Sequence, residues 1–225
     1  MSYQMVHMEV AYRLLAYFPQ IENKADYIFG AVAPDSVHMN AAYQVPDKVK
    51  THLFEGCGVW ATTGDYKRWM ENIESFWQKQ NARCQSEAER DFAAGICVHA
   101  ITDLENSKVL WDPFREKYGK DGVINPDFYQ QYNAEQYAID QWLYQNSPHK
   151  DEIFKLLTEG KGHELHGFLK MQDMEKQKEW MLHHQYADSL KAKSAYEYMN
   201  PEIMEAFIRE NVRFIMSRKA EKKGL

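Results

Sequence analysis

Apolar residues recur three and four positions apart along most of this sequence, and that period is typical of α-helices that pack on one side. Trp69, Ile73 and Phe76 form one such stripe, and Phe92 and Ile96 begin another. Helical patterns of this kind cover residues 5–18, 64–80, 87–110, 127–144, 150–158, 164–191 and 201–218. Strand-like alternation is almost absent, so the sequence predicts an all-α fold, a single multi-helix bundle over residues 1–225.

The segments between the helical patterns carry most of the turn signals. A residue that precedes a proline is disfavoured in helices, so a polar loop is expected from Asp35 to Pro46. Residues 111–127 form the longest loop-like insert, and Asp121-Gly122 within it has no alternating runs on either side, so no hairpin is predicted there. Gly95 lies inside a helical pattern, where glycine costs about 1 kcal/mol relative to alanine. Its presence predicts close packing of another backbone.

Composition limits the classes of function. Hydrophobic residues make up 44% and aromatic residues 14%, which suits a packed globular protein. The net charge of −6 argues against a stable nucleic-acid partner, and a phosphorylated ligand would need a local positive centre such as a metal ion. No apolar run is long enough for a transmembrane segment, and the N-terminal stretch lacks the features of a signal peptide, so a cytoplasmic location is expected. Three cysteines without C-x-x-C spacing predict reduced thiols.

One helical segment places ionisable residues on its apolar side. In the stretch GICVHAITDLENS, His99 and Asp103 are four positions apart, so their side chains point the same way. A buried imidazole and a buried carboxylate must be satisfied. The pair can be a hydrogen-bonded core pair, a catalytic dyad or two ligands of a metal ion such as Zn²⁺, and the H-x3-D pattern alone does not choose among these.

Residues of the types that can bind metal ions occur elsewhere in the chain. His7 lies on the first predicted helix, Asp35 and His38 follow a short apolar run, and His52 begins the next segment. Each has an ordinary structural interpretation by itself, but helices can bring such residues together at one end of a bundle. Two more pairs remain open. Glu135 and Asp140 could reach a second metal ion, and His184 with Asp188 reads first as a surface ion pair.

The series His7, Gly30-Ala-Val-Ala-Pro-Asp35, His52 and Gly95-x3-His99-x3-Asp103 resembles the zinc-dependent phospholipase C family. The fold of that family is shared with the trinuclear-zinc fungal nucleases. The resemblance covers residues 7 to 103 and fades over the C-terminal half. It implies an all-α bundle of the phospholipase C/nuclease type, with zinc ions at one end.

The resemblance also implies a set of ligands. Asp35, His52, His99 and Asp103 correspond to one complete zinc site, and His7 corresponds to a ligand of a neighbouring site that Asp103 would bridge. Other divalent ions could take the place of zinc.

Two features depart from the family's pattern. The N-terminal tryptophan ligand is missing, because the chain begins Met-Ser-Tyr, and Val109 stands where the family has a third-site histidine. The remaining pair of that third site could be supplied by Gln136 and Asp140, or by His184 and Asp188.

The function implied by the resemblance is a metal-dependent phosphoesterase that cleaves a phosphodiester or phosphomonoester through a metal-activated water. Asp35 would orient or deprotonate that water, and His38 or Tyr43 would contact a small-molecule or lipid phosphoester. The alternative is a catalytically inactive helical binding or scaffold domain that retains the fold, which the two departures favour. Hydrolases with an adjacent His-Asp pair are disfavoured because that dipeptide does not occur.

Overall fold

The computed structural model describes residues 3–60, 62, 64–120, 123–165, 167–186 and 196–220. The α-helices of this part of the chain are α1 (Gln4–Leu14), α2 (Lys24–Gly30), α3 (Val45–Thr51), α4 (Tyr66–Arg83), α5 (Glu87–Asn106), α6 (Asp112–Tyr118), α7 (Pro126–Asn146), α8 (Lys150–Glu159), α9 (Met171–His183) and α10 (Pro201–Ala220). A 3-10 helix at Ala33–Met39 follows α2, and a π-helical turn at Ser107–Trp111 joins α5 to α6. The predicted all-α fold is confirmed. The extent of the single domain stays a prediction.

Helix α5 runs through the middle of the core. The Ser86 hydroxyl caps its N-terminus by accepting the Glu89 N–H at 3.2 Å. Every residue from Asp91 to Asn106 is buried, and the helix packs against α1, α2 and α4. A helix that is enclosed on all sides carries any polar side chain into the interior. From Asp91 onward, the polar residues of α5 therefore lie in the core rather than at its edge.

Helices α2 and α5 touch through two glycines. A Cβ atom at Gly30 would lie 2.1 Å from the Phe92 carbonyl oxygen, and one at Gly95 would lie 2.2 Å from the Tyr27 carbonyl oxygen. No side chain fits at either position without moving backbone. The close approach predicted from Gly95 is confirmed, and it brings the end of α2 and the 3-10 helix after it against the middle of α5.

Two predicted loops contain regular structure. The expected loop after Asp35 begins as the 3-10 helix, with Pro34 in its first turn, where a missing N–H costs nothing. The expected loop at 111–127 contains α6 and a short hairpin of β1 (Gly119–Lys120) and β2 (Val123–Ile124). Asp121 and Gly122 themselves lie outside the described residues. The prediction of no hairpin was wrong, because a two-residue hairpin needs a suitable turn and no long alternating run.

The helix predicted at 164–191 is shorter in the structure. Helix α9 begins at Met171 and ends at His183. Gly167 has a φ of +72°, which a helix cannot include. Lys161 and His163 in the preceding loop are both held by Asp26 of α2, through a backbone N–H and a ring nitrogen at 2.8 and 2.7 Å.

Within the described residues, no helix is both long and apolar enough to cross a membrane. In the same part of the chain, Cys57, Cys84 and Cys97 form no disulfide, as their number and spacing predict.

Candidate metal centre

Four side chains meet where the 3-10 helix, the end of α3 and the middle of α5 converge. His52 Nε2 lies 3.2 Å from His99 Nε2, 3.2 Å from Asp35 Oδ1 and 3.5 Å from Asp103 Oδ2. His99 Nε2 lies 3.8 Å from Asp103 Oδ2. Both imidazoles are fully buried, and Asp103 is almost so. The structure therefore brings together all four residues predicted for the complete site.

The tautomer of each histidine is fixed by the partner of its other nitrogen. His99 Nδ1 lies 2.9 Å from the Ala31 carbonyl oxygen, which can only accept, so Nδ1 carries the proton. The Thr51 hydroxyl lies 3.0 Å from the Pro34 carbonyl oxygen and 3.1 Å from His52 Nδ1. When it donates its proton to that carbonyl, it accepts from Nδ1, which is the tautomer that a ligating histidine needs. A neutral imidazole with a protonated Nδ1 has a lone pair on Nε2.

With both Nδ1 atoms protonated, two lone pairs face each other across 3.2 Å, the distance between the two Nε2 atoms. Burial lowers the pKa of both imidazoles, that of His99 well below its usual value, with His7 the next cause for His99 and Lys48 for His52. Neither ring therefore gains a proton near neutral pH to relieve the contact. A cation between the rings removes the repulsion and satisfies both nitrogens.

Four distances, those from His52 Nε2 to the other three ligand atoms and from His99 Nε2 to Asp103 Oδ2, suit a tetrahedral ion. Zinc binds histidine nitrogen and carboxylate oxygen at about 2.0–2.2 Å, which separates adjacent ligand atoms by about 3.3 Å. The contacts between these atoms run from 3.2 to 3.8 Å. Hydrogen bonds to the outer nitrogens of ligating histidines are the usual support of such sites, and Ala31 and Thr51 supply them here. The residues fit a zinc ion.

His7 forms a second group with His99 and Asp103. Its ring stacks on His99 with centroids 3.8 Å apart, and its Nε2 lies 3.5 Å from Asp103 Oδ1. It is fully buried, and neither ring nitrogen has a hydrogen-bond partner among the described residues. Asp103 thus turns one oxygen toward His52 and the other toward His7, which is the arrangement of a bridging carboxylate.

Both carboxylates of the centre are ionised. Burial opposes the ionisation of Asp35, but Lys48 and His52 outweigh it and hold the pKa of that carboxyl well below its usual range. Burial also opposes the ionisation of Asp103, but the surrounding imidazoles, His7 first, lower its pKa below the ordinary value. The centre therefore offers two anionic and two neutral ligand groups, a common set for zinc.

Sequence reasoning missed two neighbours of the centre. Lys48 is buried, and its Nζ lies 3.2 Å from Asp35 Oδ1 and 3.2 Å from His38 Nε2. Gln4 Nε2 donates to Asp35 Oδ2 at 3.1 Å. For Lys48 a signal existed, because it precedes His52 by four positions and so shares a helical face with it. Gln4 offers none, since it lies 31 positions from Asp35 along the chain.

A cavity of about 510 Å³ opens over the centre, and Asp35, His38 and Lys48 lie on its wall. The rest of the wall is mainly aromatic, with Tyr3, Trp111, Tyr129, Tyr132, Tyr137 and Trp180. His38 is half-exposed, and its ring lies 4.5 Å from that of Tyr43. The predicted substrate-contacting residue His38 therefore reaches a space in which a small ligand fits.

Asp140 and Glu135 of α7 lie outside both groups of ligand atoms. Asp140 accepts the Met5 N–H and the Tyr186 hydroxyl, each at 2.8 Å, and the Gln185 amide at 3.2 Å. Glu135 accepts the backbone N–H groups of residues 197, 198 and 199 at 2.8–2.9 Å. Hydrogen-bond donors satisfy these carboxylates, so the geometry gives no support to a metal-binding role for either.

The other residues considered for a third site also lie apart from the centre. His184 is exposed at the end of α9, and Asp188 lies outside the described residues. Val109 is exposed on the π-helical turn. Gln136 is buried, and its Nε2 has no partner among the described residues. In the described part of the chain, these residues do not form a group of ligand atoms close enough together to hold a third ion.

Comparisons of this chain with protein-family models, with curated proteins and with solved structures find no match. The relationship to the zinc-dependent phospholipase C family therefore stays a prediction, based on the residues and spacings quoted above.

Proposed function

We propose that this protein is a metal-dependent, zinc-using phosphoesterase that hydrolyses a phosphodiester or phosphomonoester. The observation that carries the proposal is the pair of Nε2 lone pairs of His52 and His99, which face each other across 3.2 Å beside two ionised carboxylates. Two imidazole nitrogens and two carboxylates that converge in this way are the chemistry of a cation site. The aromatic-walled cavity over the centre supports a small-molecule ligand.

The roles of the residues follow from their places in the site. His52, His99, Asp35 and Asp103 would hold the ion, and His7 with the second oxygen of Asp103 would hold another. A bound zinc ion supplies an acidified water and polarises a phosphoryl oxygen. Asp35, which is ionised and lies at the cavity wall, would orient that water. His38 contacts the substrate from the exposed side.

The cavity limits what the site can accept. A space of about 510 Å³ accommodates a compact phosphoester, either a small soluble molecule or the headgroup of a lipid. Its aromatic side chains favour an apolar or ring-containing group beside the phosphorus.

A helical binding or scaffold domain is the second candidate, and one contact favours it. The ammonium group of Lys48 lies 3.2 Å from Asp35 Oδ1 and gives that carboxylate a counter-charge within the chain itself. On this alternative, the polar cluster would be a structural remnant without catalysis.

Metal content measured by plasma mass spectrometry separates the two candidates. The purified wild type should contain one or more equivalents of metal, and His99→Ala and Asp103→Ala should lose it. His184→Ala is the matched control, because it removes an exposed histidine that belongs to neither group of ligand atoms. Hydrolysis of bis(p-nitrophenyl) phosphate and p-nitrophenyl phosphate should follow the metal content. A wild type that stays empty after incubation with zinc and with manganese contradicts the proposal.

A further inference from the structure

Three glutamine side chains on the wall of the cavity above the metal centre have no partner for their amide oxygens. Gln4, Gln177 and Gln185 line this cavity. The Oε1 atom of each is buried and accepts no hydrogen bond among the described residues. Gln177 and Gln185 are 2% and 5% exposed, so both side chains are almost completely enclosed. Buried polar groups without a partner are uncommon in folded proteins, and each one needs an explanation.

The direction of each amide is set by the acceptor that its nitrogen contacts. Gln177 Nε2 donates to the Val32 carbonyl oxygen at 3.0 Å, and a carbonyl group can only accept. Gln185 Nε2 donates to Asp140 Oδ2 at 3.2 Å, and Gln4 Nε2 makes the corresponding contact with a carboxylate of the centre. The amide nitrogens are therefore engaged within the protein. The oxygens are the atoms left for a ligand.

Three such acceptors require a ligand that donates several hydrogen bonds. Hydroxyl groups can do so, and so can an ammonium group that carries N–H bonds. The charges of the wall favour the hydroxyl groups. Apart from Asp35, Lys48 and His38 beside the centre, every described residue of the wall is neutral, so no further carboxylate is there to pair with a cation. Burying an ammonium group without a counter-charge is costly, whereas a neutral hydroxyl needs only an acceptor.

Aromatic side chains supply much of the remaining wall. The rings of Tyr3 and Tyr137 meet edge-on with centroids 5.8 Å apart, and the Trp111 ring lies 5.8 Å from that of Tyr129 and 5.4 Å from that of Tyr132. Rigid apolar surfaces of this kind can cover the C–H groups of a ligand ring. A ring that bears hydroxyl groups has both parts that the wall asks for, namely apolar C–H groups and donors around its edge.

We infer that the cavity recognises a cyclic polyol, a neutral ring with several hydroxyl groups, as the alcohol part of the phosphoester. This inference rests on the proposed function, because it places the phosphoryl group at the metal centre. Gln177 and Gln185 determine the specificity by accepting hydrogen bonds from ring hydroxyls. The volume of about 510 Å³ accommodates such a ring together with the phosphoryl group.

The test measures the binding of myo-inositol, choline and cyclohexanol by saturation-transfer NMR titration, with zinc and with a chelator. The wild type should bind myo-inositol most tightly, because the ammonium group of choline has no N–H bond and cyclohexanol has one hydroxyl for three acceptors. Gln177→Met should weaken the binding of myo-inositol about three- to tenfold, through loss of a hydrogen bond, and change that of cyclohexanol little. Gln185→Met should behave in the same way and is the second variant if Gln177→Met does not fold.

Gln80→Met is the matched control. Gln80 is also buried, and its Oε1 also lacks a partner among the described residues, but it lies outside the cavity wall. This variant should bind myo-inositol as the wild type does.

Two esters distinguish the possible sources of the polyol. Hydrolysis of glycerophosphoinositol in solution would identify a soluble ester as the substrate. Hydrolysis only of phosphatidylinositol, presented as vesicles of that lipid, would identify a lipid headgroup. Either result supports the inference, whereas a zinc-loaded enzyme that cleaves bis(p-nitrophenyl) phosphate but neither inositol ester contradicts it.

Two binding results would overturn the inference and leave the phosphoesterase intact. The first is a zinc-containing wild type that binds choline or cyclohexanol more tightly than myo-inositol. The second is unchanged binding of myo-inositol by folded Gln177→Met and Gln185→Met proteins. Binding of myo-inositol by a wild type that takes up no metal would instead remove the proposed function, and with it the role of the polyol as part of a substrate.

Discussion

Two groups of buried carboxylates lie in the same core and differ in what faces them. Asp140 and Glu135 of α7 receive hydrogen bonds from backbone N–H groups, a hydroxyl and amides. Asp103 of α5 instead faces imidazoles, and two of these, His52 and His99, turn lone pairs toward the same point. Burial by itself therefore does not indicate a metal site. Two imidazole nitrogens that converge on ionised carboxylates are the better indication.

The largest effect should come from paired substitutions of one carboxylate in each group. Asp103→Asn removes an anionic ligand and should abolish retention of zinc during purification, because an amide oxygen is a poor zinc ligand. Asp140→Asn should leave the zinc content unchanged. Plasma mass spectrometry on the two variants makes the comparison. Equal loss of zinc from both would place Asp140 in the centre and restore the sequence prediction.

Removal of the metal should lower the stability of the fold. An ion that binds only the folded state stabilises it by about 4 kcal/mol when its free concentration is a thousand times the dissociation constant. Thermal unfolding with excess zinc and with a chelator measures the difference. His99→Ala should unfold at the same temperature in both conditions. If the wild type unfolds at the same temperature with zinc and with the chelator, then His99 and Asp103 of α5 have a structural role, as Asp140 and Glu135 of α7 do.

The pH dependence of stability should identify Asp140. Burial raises the pKa of its carboxyl to about 6, and the three donors do not fully offset that effect. Because the folded state holds the proton more tightly, the contribution of Asp140 to stability is present below about pH 4 and is lost as the pH rises to about 6. The loss amounts to about 3 kcal/mol. The slope should appear in the difference in unfolding free energy between the metal-free wild type and Asp140→Asn, measured with denaturant at several pH values. The histidines of the centre, whose lowered pKa values give a slope of opposite sign, are common to both proteins and cancel in the difference.

A wild-type slope equal to that of Asp140→Asn across this range would mean that the hydrogen bonds satisfy the ionised carboxylate completely. The two carboxylates of the centre do not contribute to the slope in this pH range. The pKa values of Asp35 and Asp103 are lowered, so their contributions are lost only as the pH falls below the unfolded-state value of about 4.

The smallest effect should come from the support of His52. Thr51→Val removes the oxygen that accepts the His52 Nδ1 proton and leaves the shape of the side chain almost unchanged. Loss of such an outer hydrogen bond typically weakens metal binding by about 10- to 100-fold. Competition with a zinc indicator gives the affinity. Thr102→Val is the control and should bind zinc normally. It removes a buried hydroxyl on α5, whereas Thr51 lies on α3.

The sequence allows prediction of the fold class and of His99 with Asp103, because both depend on spacing along a single helix. Asp35 and His52 are candidates by residue type alone, and only the resemblance assigns them to the same site as His99 and Asp103, since their distance from α5 along the chain carries no periodic signal. Gln4 could not be found at all, because its contact with Asp35 depends on how α1 docks on the 3-10 helix. Asp140 was assigned to a metal because a buried carboxylate looks the same in sequence whether donors or an ion satisfy it.

The contact between Gly30 and Gly95 bears on which ions the centre can hold. It fixes the spacing of two backbones, one of which leads into Asp35 while the other carries His99. Calcium requires six to eight oxygen ligands at about 2.3–2.6 Å, so accepting it would mean separating elements that already touch without side chains between them. Zinc needs no such separation. The size of the accepted ion would then depend on Gly30 and Gly95, each of which has only a hydrogen atom in place of a side chain where the helices cross.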